Sequence, residues 1–420
     1  MRRPNAPKPT AAKPSAATIF WLNQHLTYDE WRRLLREERL PAAVVDLDAF
    51  DRNALLLARL AAGKRLRLAT KSIRVPQLLA RALSLKSAYQ GFMCYSAEEA
   101  LCLGNFGFDD LLIAYPTLRH RDLACLVELK RLNKHVSLVV DSAQGIEALA
   151  QAAAQGAGLL RIVIEVDVSA RFPGDVHLGA RRSPVRTPED LMAFDEIIAR
   201  RPGLQLIGLM AYESHIAAMM DNSPDGYLPR FALRRAKTWT ARQVARKRRE
   251  LAEAYQRLAR SMELFNGGGT GSLSFAAHEP WLTELSAGSG LMGPRLNDFY
   301  SNIRPEPACF FALQACRSPK PGMVTCQGGG YIASGAGGRD RWPQPYLPSG
   351  STLTALEGAG EVQTPVKLGP GENIALGDPV IFRHAKAGEL AERFQEYILV
   401  SGGVISGRAK TYRGLGWCFF

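Results

Sequence analysis

The stretch RLATKSIR at residues 67–74 is a short apolar run that ends in one lysine, Lys71. Leu66, Leu68 and Ala69 predict a buried strand, and the cationic and hydroxyl residues after them predict its end. In a barrel of parallel strands, catalytic groups collect at the carboxyl ends of the strands, where a partly desolvated lysine becomes a usable nucleophile. Taken alone, the stretch favours a surface lysine after an edge strand, so a catalytic interpretation needs a phosphate-binding loop elsewhere in the chain.

Strand-like runs alternate with helical patterns through the first two thirds of the chain. The strand-like runs lie near residues 44–47, 66–70, 91–94, 111–114, 136–140, 161–167, 205–212 and 262–266. Helical periodicity is found at residues 50–60, 75–83, 97–103, 121–132, 143–155, 188–200 and 230–263. Eight strands with helices between them predict an α/β fold in which the strands close into a (β/α)8 TIM-type barrel.

From about residue 305 the pattern changes to short runs broken by Gly and Pro, which is typical of an all-β domain. The strand-like runs there lie at residues 323–327, 332–334, 360–366, 379–383, 395–400 and 404–406, with a long loop predicted at residues 339–351. The predicted organisation is a disordered basic tail at residues 1–17, a barrel domain with an N-terminal lead-in at residues 18–300, and a smaller C-terminal β domain at residues 301–420.

The composition bounds the class of protein. With 420 residues, of which 46% are apolar and 22% charged, the chain is long enough to bury a large core. It has no run of about 18 apolar residues, so no membrane span is predicted. The N-terminus lacks an apolar segment of signal-peptide length, and the seven cysteines are scattered without a Cys-x-x-Cys pair. A cytoplasmic protein with reduced thiols is expected.

The net charge of +13 is concentrated in one predicted helix. Residues 230–263 contain eleven Lys or Arg against three Glu, and an apolar stripe runs along the segment. We expect the cations, Arg248 among them, to form a solvated face, because the segment lacks the interleaved aromatic residues of RNA-binding proteins. Nucleic-acid binding is therefore not the expected function, and phosphate binding by this helix is a secondary alternative.

A glycine-rich loop, NGGGTGS at residues 266–272, follows the eighth predicted strand. Consecutive glycines let backbone N–H groups converge on an anion, and the hydroxyls of Thr270 and Ser272 add donors. The loop has neither the Lys of a nucleotide P-loop nor the spacing of a dinucleotide fingerprint, so a monophosphate fits best. A second glycine group, ELSAGSGL at residues 284–291, can contact the same phosphate, form the hinge into the β domain, or do both. With Lys71, these loops predict pyridoxal phosphate (PLP) as the cofactor.

Several motifs occur in a fixed order along the chain. They are PAAVVDLD at residues 41–48, Arg67-x-x-x-Lys71-Ser72, GFDDLLIAYP at residues 107–116, AYESH at residues 211–215, the glycine loop, and Glu284-x-x-x-Gly288-Ser289. Together they resemble the D-threonine aldolase and D-serine dehydratase family, PLP enzymes with an alanine-racemase-like barrel. The resemblance covers most of residues 40–300, and the joint order is more specific than any single motif.

The resemblance implies a role for individual residues. Lys71 would form the Schiff base with PLP and move protons at the substrate carbon. The phosphate would be held by Gly268, Gly269, Thr270, Gly288 and Ser289. The family places an arginine near the phenolic oxygen of the PLP ring; Arg171 is the counterpart by motif, with spacing one residue short, and Arg182 is its rival. Tyr212 and His215 would lie at the mouth of the seventh strand, His215 as a candidate proton donor or a hydrogen-bonded structural residue.

The family also has a divalent metal site in the β domain, where a His is followed two residues later by Cys or Asp. Here GDPVIFRHAK at residues 377–386 retains His384 and has Lys386 in place of the second ligand. A protonated lysine offers no lone pair to a cation, and its charge repels one. We expect the metal to be absent or held differently, with Lys386 supplying the positive charge and His384 acting as acid or base. An ordinary salt-bridged turn is an equal alternative.

The leading functional hypothesis is a PLP-dependent lyase that deaminates or cleaves a β-hydroxy amino acid of D configuration, by β-elimination or retro-aldol cleavage. A PLP-dependent racemase and a non-catalytic PLP carrier are the alternatives. The β domain argues against the carrier, which needs no lid. The resemblance also implies a homodimer with active sites at the subunit boundary, and the expected partner otherwise is a small amino acid substrate.

Overall fold

A computed structural model describes residues 25–172, 176–223 and 226–419. The tail predicted at residues 1–17 lies outside the described residues. The strands, in chain order, are β1 (Ala42–Asp46), β2 (Arg65–Ala69), β3 (Tyr89–Cys94), β4 (Leu111–Ile113), β5 (Val136–Val140), β6 (Leu160–Glu165), β7 (Ala170–Phe172), β8 (Val176–Leu178), β9 (Leu204–Met210), β10 (Leu264–Gly267), β11 (Glu284–Ala287), β12 (Cys309–Lys320), β13 (Met323–Gln327), β14 (Gln344–Leu347), β15 (Thr352–Leu353), β16 (Gln363–Lys367), β17 (Pro379–Arg383), β18 (Glu396–Ser401) and β19 (Val404–Lys410).

Most of the longer helices follow barrel strands and cover the barrel from outside. The helices are α1 (Tyr28–Leu34), α2 (Leu47–Leu60), α3 (Pro76–Leu85), α4 (Ala97–Phe106), α5 (His120–Arg131), α6 (Ala143–Ala152), α7 (Pro188–Ala199), α8 (Ser214–Ala217), α9 (Tyr227–Arg257), α10 (Leu273–Ala276) and α11 (Ser289–Met292). No helix within the described ranges is long and apolar enough to cross a membrane.

Eight parallel strands close into a barrel in the order β10, β11, β2, β3, β4, β5, β6 and β9. The strands are buried on both faces, as expected for a parallel sheet covered by helices. Gly208 in β9 shows how tightly the barrel closes, because a Cβ at this position would clash with the carbonyl of Leu264 in β10. The predicted (β/α)8 barrel followed by a smaller β domain is confirmed.

One strand assignment was wrong. The run predicted near residues 44–47 as the first barrel strand is β1, and β1 belongs to the β domain, where it pairs antiparallel with β12 and parallel with β18. Its place in the barrel is taken by β11, a four-residue strand that the sequence analysis had treated as part of the second glycine group. A buried apolar strand has the same pattern in either sheet, so periodicity could not choose between them.

The β domain is a nine-stranded sheet with the order β15, β16, β13, β12, β1, β18 and β19, while β14 and β17 pair beside β12. Strands were correctly predicted at Met323–Gln327 and Pro379–Arg383. The long strand β12 was missed, residues 332–334 form no strand, and the predicted loop at residues 339–351 contains β14. Asp46 connects the domains, because it ends β1 and caps α2 by accepting the Asp48 and Ala49 N–H groups.

Helix α9 is the predicted basic helix, but its cations do not all face solvent. Arg248 is 0% exposed and Lys237 is 1% exposed. The prediction that Arg248 lies on a solvated face is therefore wrong. Both cations form ion pairs with residues outside the helix, Lys237 with Asp221 and Arg248 with Glu213. Helical periodicity predicts the apolar stripe but not such long-range pairs.

Candidate active site

Lys71 lies at the carboxyl end of barrel strand β2, in the 3₁₀ turn Thr70–Ser72. The Thr70 hydroxyl donates a 2.9 Å hydrogen bond to the Met93 carbonyl in β3 and so anchors the turn to the neighbouring strand. Gly388 packs against the Lys71 carbonyl so closely that a Cβ there would clash with it. Lys71 therefore sits between the mouth of the barrel and the β domain.

The surroundings of Lys71 favour its neutral amine. The side chain is exposed toward the cleft, yet enough of it is enclosed that partial burial lowers the pKa of its ammonium group. The positive charges of Arg182, Lys386 and Arg74 lower this pKa further. An amine of reduced basicity is the form that attacks an aldehyde carbon.

The glycine loop at residues 268–272 follows β10 at the same end of the barrel. A Cβ on Gly269 would lie 2.8 Å from the Cβ of Ala217, and one on Gly271 would clash with the Ala217 carbonyl, so neither position has room for a side chain. Within the described residues, the backbone N–H groups of Gly269, Thr270 and Gly271 have no acceptor. Three unsatisfied donors in one tight loop fit a phosphate group, which supplies acceptor oxygens.

The second glycine group contacts both the lysine strand and the glycine loop. A Cβ on Gly288 would lie 2.7 Å from the carbonyl oxygen of Ala69. The Ser289 hydroxyl and the Gly290 N–H donate hydrogen bonds of 3.0 and 3.1 Å to the Thr270 hydroxyl. The two glycine segments therefore form one continuous surface beside the turn that carries Lys71.

Glu213 was not among the predicted site residues, although it lies directly beneath the glycine loop. Its carboxylate accepts a 3.1 Å hydrogen bond from the Gly268 N–H and a 2.6 Å bond from the Ser272 hydroxyl. Its charge is paired with the buried guanidinium of Arg248. The sequence contained a signal, since a carboxylate in the AYESH motif at a strand end is unusual for a core position.

Arg182, and not Arg171, lies next to the other site residues. The Arg182 Nε donates to the buried Glu165 carboxylate at 2.9 Å, and its guanidinium lies 5.9 Å from the centroid of the Tyr212 ring. Burial raises the pKa of Glu165 to about 7, although the Arg182 charge opposes this shift. Arg171 is exposed and pairs with Asp167 at 3.4 Å. The structure thus places Arg182 over Tyr212, close enough to Lys71 for its charge to lower the pKa of that lysine.

His215 lies in the short helix α8 and faces another part of the molecule. Its Nδ1 is close to Gly179, where an added Cβ would approach to 3.3 Å, and both ring nitrogens are buried with no hydrogen-bond partner among the described residues. Burial lowers the pKa of His215. The charges of Lys247 and Arg248 lower this pKa further, the Glu213 charge opposes them, and no described contact joins His215 to Lys71.

His384 and Lys386 project from the β domain beside the barrel mouth. His384 is buried, its Nδ1 lies 3.0 Å from the Cys309 carbonyl, and burial lowers its pKa to about 4. The Lys386 ammonium donates to the Ser334 hydroxyl at 2.6 Å and pairs with the Glu389 carboxylate at 2.8 Å. Both residues line a cavity of about 330 Å³.

These residues do not fit a divalent metal. The described part of the chain contains no group of three or more His, Cys, Asp or Glu side chains placed to hold one. Lys386 stands beside His384 with its ammonium already bound to Glu389, so the carboxylate that a cation would need is neutralised. The expectation that the metal is absent or held differently remains a prediction.

Arg67, the first residue of the Lys71 motif, lies inside the barrel. Its guanidinium donates to Glu284 at 2.6 and 2.9 Å and to the Asp110 carboxylate at 2.9 Å. Glu284 also accepts a 2.7 Å bond from Asn266. This buried polar layer ties β2, β10 and β11 together below the mouth, which explains why the motif pairs Arg67 with Lys71 on one strand.

A parallel (β/α)8 barrel with one amine and one glycine loop at its carboxyl end, covered by a β domain, defines a class of barrel enzymes. Residues 45–295 match the family described as alanine racemase, N-terminal domain, and the chain belongs to this family. A D-threonine aldolase from Arthrobacter sp. is 29% identical over 302 residues, which are 69% of this chain and 71% of the relative. The predicted family is confirmed, and the chain is an enzyme.

Two solved structures share the fold across both domains. D-threonine aldolase from Filomicrobium marinum superimposes with a TM-score of 0.76 at 20% identity, over 90% of this chain and 96% of the other. D-threo-3-hydroxyaspartate dehydratase from Delftia sp. HT23 gives a TM-score of 0.70 at 20% identity, over 90% and 98%. The arrangement of barrel and β domain is thus the same in all three proteins.

Proposed function

We propose that this enzyme is a PLP-dependent lyase that acts on a β-hydroxy amino acid of D configuration. The observation that carries the proposal is the position of Lys71, an amine of lowered pKa that shares the barrel mouth with a glycine loop whose N–H groups have no acceptor in the protein. An amine and a phosphate-sized anion site are the two anchors that PLP needs. When bound, PLP would supply an electron sink for the charge left on the substrate carbon when a proton or the Cα–Cβ bond is lost.

The names of the relatives support the choice of substrate class. The relatives are named D-threonine aldolase and D-threo-3-hydroxyaspartate dehydratase, and both names describe a D-amino acid with a hydroxyl on the β-carbon. One name describes cleavage of the Cα–Cβ bond, and the other describes loss of water. We therefore propose the shared substrate class and leave the two reactions to be separated by product analysis.

Each residue of the site has a proposed task. Lys71 would anchor the cofactor and, once released from it, would carry the proton at the substrate α-carbon, a task that its lowered pKa favours. Residues 268–272 and Ser289 would bind the phosphate. Arg182 would face the phenolic oxygen of the ring, because it lies over Tyr212 and acts electrostatically on Lys71.

Lys386 would act on the substrate hydroxyl. Its ammonium is held by Ser334 and Glu389 on the β-domain side of the cleft, and its charge is near enough to lower the pKa of Lys71. A cation fixed there can stabilise negative charge that develops on the β-oxygen as the Cβ–O bond or the Cα–Cβ bond breaks. His384, with its pKa of about 4, would be neutral at pH 7 and so able to accept a proton.

A cytoplasmic homodimer completes the proposal. Large apolar side chains are exposed near the barrel mouth, Tyr115 at 61% and Leu118 at 51% in the loop after β4. Tyr227 and Leu228 are more exposed still, at 72% and 75%, where α9 begins. A second subunit packed on this side would cover them and narrow the entrance to the site.

The deciding experiment is a product assay on the purified enzyme with PLP. D- and L-serine, D- and L-threonine and D-3-hydroxyaspartate are supplied with and without a chelator, and pyruvate, 2-oxobutyrate, oxaloacetate, glycine and the inverted amino acid are measured. We expect a keto acid or glycine from D substrates. Inverted amino acid as the main product would establish a racemase, and no turnover of any substrate with PLP bound would favour a carrier.

A further inference from the structure

Helix α9 carries two buried cations that lie beneath the glycine loop. The exposed arginines of this helix account for much of the positive charge of the chain, but Lys237 and Arg248 are 1% and 0% exposed. Each is linked to residues 268–272 through one intermediate side chain. Within the described ranges neither makes a hydrogen bond to residues 268–272 directly, so their roles concern the shape of the loop.

Arg248 acts through Glu213. One guanidinium nitrogen donates to the Glu213 carboxylate and, at 2.5 Å, to the Ala211 carbonyl, while another donates to Glu279 at 2.6 Å. Glu213 in turn accepts the Gly268 N–H and the Ser272 hydroxyl. The two ends of the loop are therefore fastened to a single carboxylate, whose orientation is fixed by Arg248.

Lys237 acts through Asn302. The Lys237 ammonium pairs with Asp221 at 3.2 Å and donates to the Asn302 side-chain oxygen at 3.2 Å. The Asn302 amide donates to the Gly271 carbonyl at 3.0 Å. This contact turns the Gly271 carbonyl toward α9.

The polar groups of residues 268–272 therefore fall into two sets, one bonded to the protein and one free to bind an anion. The Gly268 N–H, the Gly271 carbonyl and the Ser272 hydroxyl are occupied from below, while the N–H groups of Gly269, Thr270 and Gly271 are left for an anion. A bare Glu213 carboxylate beneath an anion site would repel the anion, and the positive charge of Arg248, which is shared with Glu279, offsets this repulsion.

We propose that Arg248 and Lys237 are positioning residues that hold residues 268–272 in the conformation that takes a phosphate monoester, acting through Glu213 and Asn302. This inference rests on the proposed function, because the monoester is the phosphate of PLP. It assigns the basic helix a task that its exposed charges do not explain.

The test compares PLP with pyridoxal, which lacks the phosphate. Cofactor is removed from the full-length chain with hydroxylamine, and the dissociation constants of PLP and pyridoxal are measured by absorbance titration. The dissociation constant of pyridoxal divided by that of PLP gives the contribution of the phosphate to binding. We expect Arg248→Met and Asn302→Ala each to reduce this ratio by about tenfold or more, the usual effect of losing charge-assisted or buried hydrogen bonds. The dissociation constant for pyridoxal should stay within about twofold, since pyridoxal has no phosphate for the loop to bind.

Two variants of the same helix serve as matched controls. Arg249 is the neighbour of Arg248 but is exposed and paired with Glu253, and Tyr255 is fully buried two turns further on. Arg249→Met and Tyr255→Phe should leave the ratio unchanged. The ³¹P resonance of bound PLP gives a second readout, because it should broaden or shift in Asn302→Ala and stay in place in the controls.

If Arg248→Met and Asn302→Ala weaken the binding of PLP and of pyridoxal equally, both residues have a general structural role and the inference is overturned. Arg248→Met leaves Glu213 and Glu279 unpaired and can fail to fold; Asn302→Ala and the charge-retaining Arg248→Lys then decide, with a reduced ratio expected in each. If the unmutated chain binds PLP no better than pyridoxal, the proposed function fails as well. If it discriminates strongly and the variants do not change the ratio, this inference alone is wrong.

Discussion

The Tyr412 hydroxyl donates a 2.9 Å hydrogen bond to Glu99, and this bond fastens the C-terminal segment to barrel helix α4. Both side chains are fully buried. The Tyr95 N–H donates to the other carboxylate oxygen at 2.7 Å. Burial raises the pKa of Glu99 to about 7, although its hydrogen bonds from the Tyr95 N–H and the Tyr412 hydroxyl and the charge of Arg74 favour the ionised form.

Burial of the Glu99 carboxyl group makes stability depend on pH. The pKa of Glu99 is above its ordinary value of 4.5 in the folded protein, so the folded state binds the proton more tightly than the unfolded chain. The resulting stabilisation is complete below about pH 4.5 and is lost as the pH rises through about 7. Glu99→Gln, which stays neutral, should lack this loss, so the free energy of unfolding of the unmutated protein should fall by about 3 kcal/mol relative to the variant over that range. Denaturant titrations at several pH values measure the difference, and parallel pH curves would contradict it.

Lys71 and Lys64 lie at opposite ends of β2, and substituting each in turn tests which of them binds the cofactor. Lys71→Ala should abolish both the absorbance at about 410–430 nm and the borohydride-reducible adduct, because the other amine of the cleft, Lys386, is held as an ammonium by Glu389 and Ser334. Lys64, at the opposite end of β2, donates to the Leu282 carbonyl at 2.6 Å and serves as the control. Lys64→Ala should keep the adduct. Mass spectrometry of the reduced protein locates the label, and an adduct at the same stoichiometry in Lys71→Ala would refute the assignment.

The sequence alone predicted those parts of the site that are formed by residues close together in the chain. Lys71 ends its own strand, and the glycines of residues 268–272 are consecutive, so composition and spacing were sufficient. The contact between Arg248 and Glu213 joins positions 35 residues apart, and it depends on how α9 packs on the barrel. Helix α9 carries so many arginines that the sequence could not show which of them pairs with Glu213.

The same limit explains the errors in the fold. β1 has the apolar pattern of a barrel strand, and its pairing with β12 and β18 is decided by residues more than 250 positions away. In β11, Glu284 and Ser286 bond to Arg67 and Asn266, so two of the four residues of this short strand are polar and it has no apolar run to mark it. Arg171 fitted the family motif, but Arg182 is the arginine that the structure places by Tyr212.

The two arginines can be separated by their effect on Lys71. The Arg182 charge lowers the pKa of Lys71, so Arg182→Ala should raise this pKa and shift the pH dependence of PLP attachment to higher pH. Arg171→Ala removes an exposed pair with Asp167 and should leave the profile where it is. Stopped-flow rates of PLP attachment between pH 6 and about 10 give the profiles. A shift in Arg171→Ala without one in Arg182→Ala would reverse the assignment.

The oligomeric state is a separate prediction. We expect multi-angle light scattering to give twice the mass of one chain, because a second subunit would cover the exposed apolar side chains near the mouth, Leu228 among them. Dilution should lower the mass and the specific activity together if a second subunit narrows the site entrance. A monomer with full turnover would rule out the dimer as a requirement for activity.

Lys386 distinguishes this chain from relatives that would use a metal. Its ammonium is fixed between Ser334 and Glu389, and its charge acts on Lys71. If it stabilises charge on the substrate oxygen, activity should survive exhaustive chelation. Lys386→Ala should lower kcat by about tenfold to a thousandfold with the cofactor absorbance retained, because the lost interaction is made in the transition state.

Two further variants separate the charge of Lys386 from its position. Lys386→Arg keeps a cation and should retain more activity than Lys386→Ala. Lys386→Asp puts a carboxylate two residues after His384, and because carboxylate and imidazole are metal ligands, activity stimulated by a divalent ion is expected in this variant. Steady-state kinetics with and without Mn²⁺ or Zn²⁺ measure both effects. Activity of the unmutated enzyme that is lost on chelation and restored by the ion would mean that other side chains bind a metal and that the Lys386 ammonium is not the group that acts on the hydroxyl.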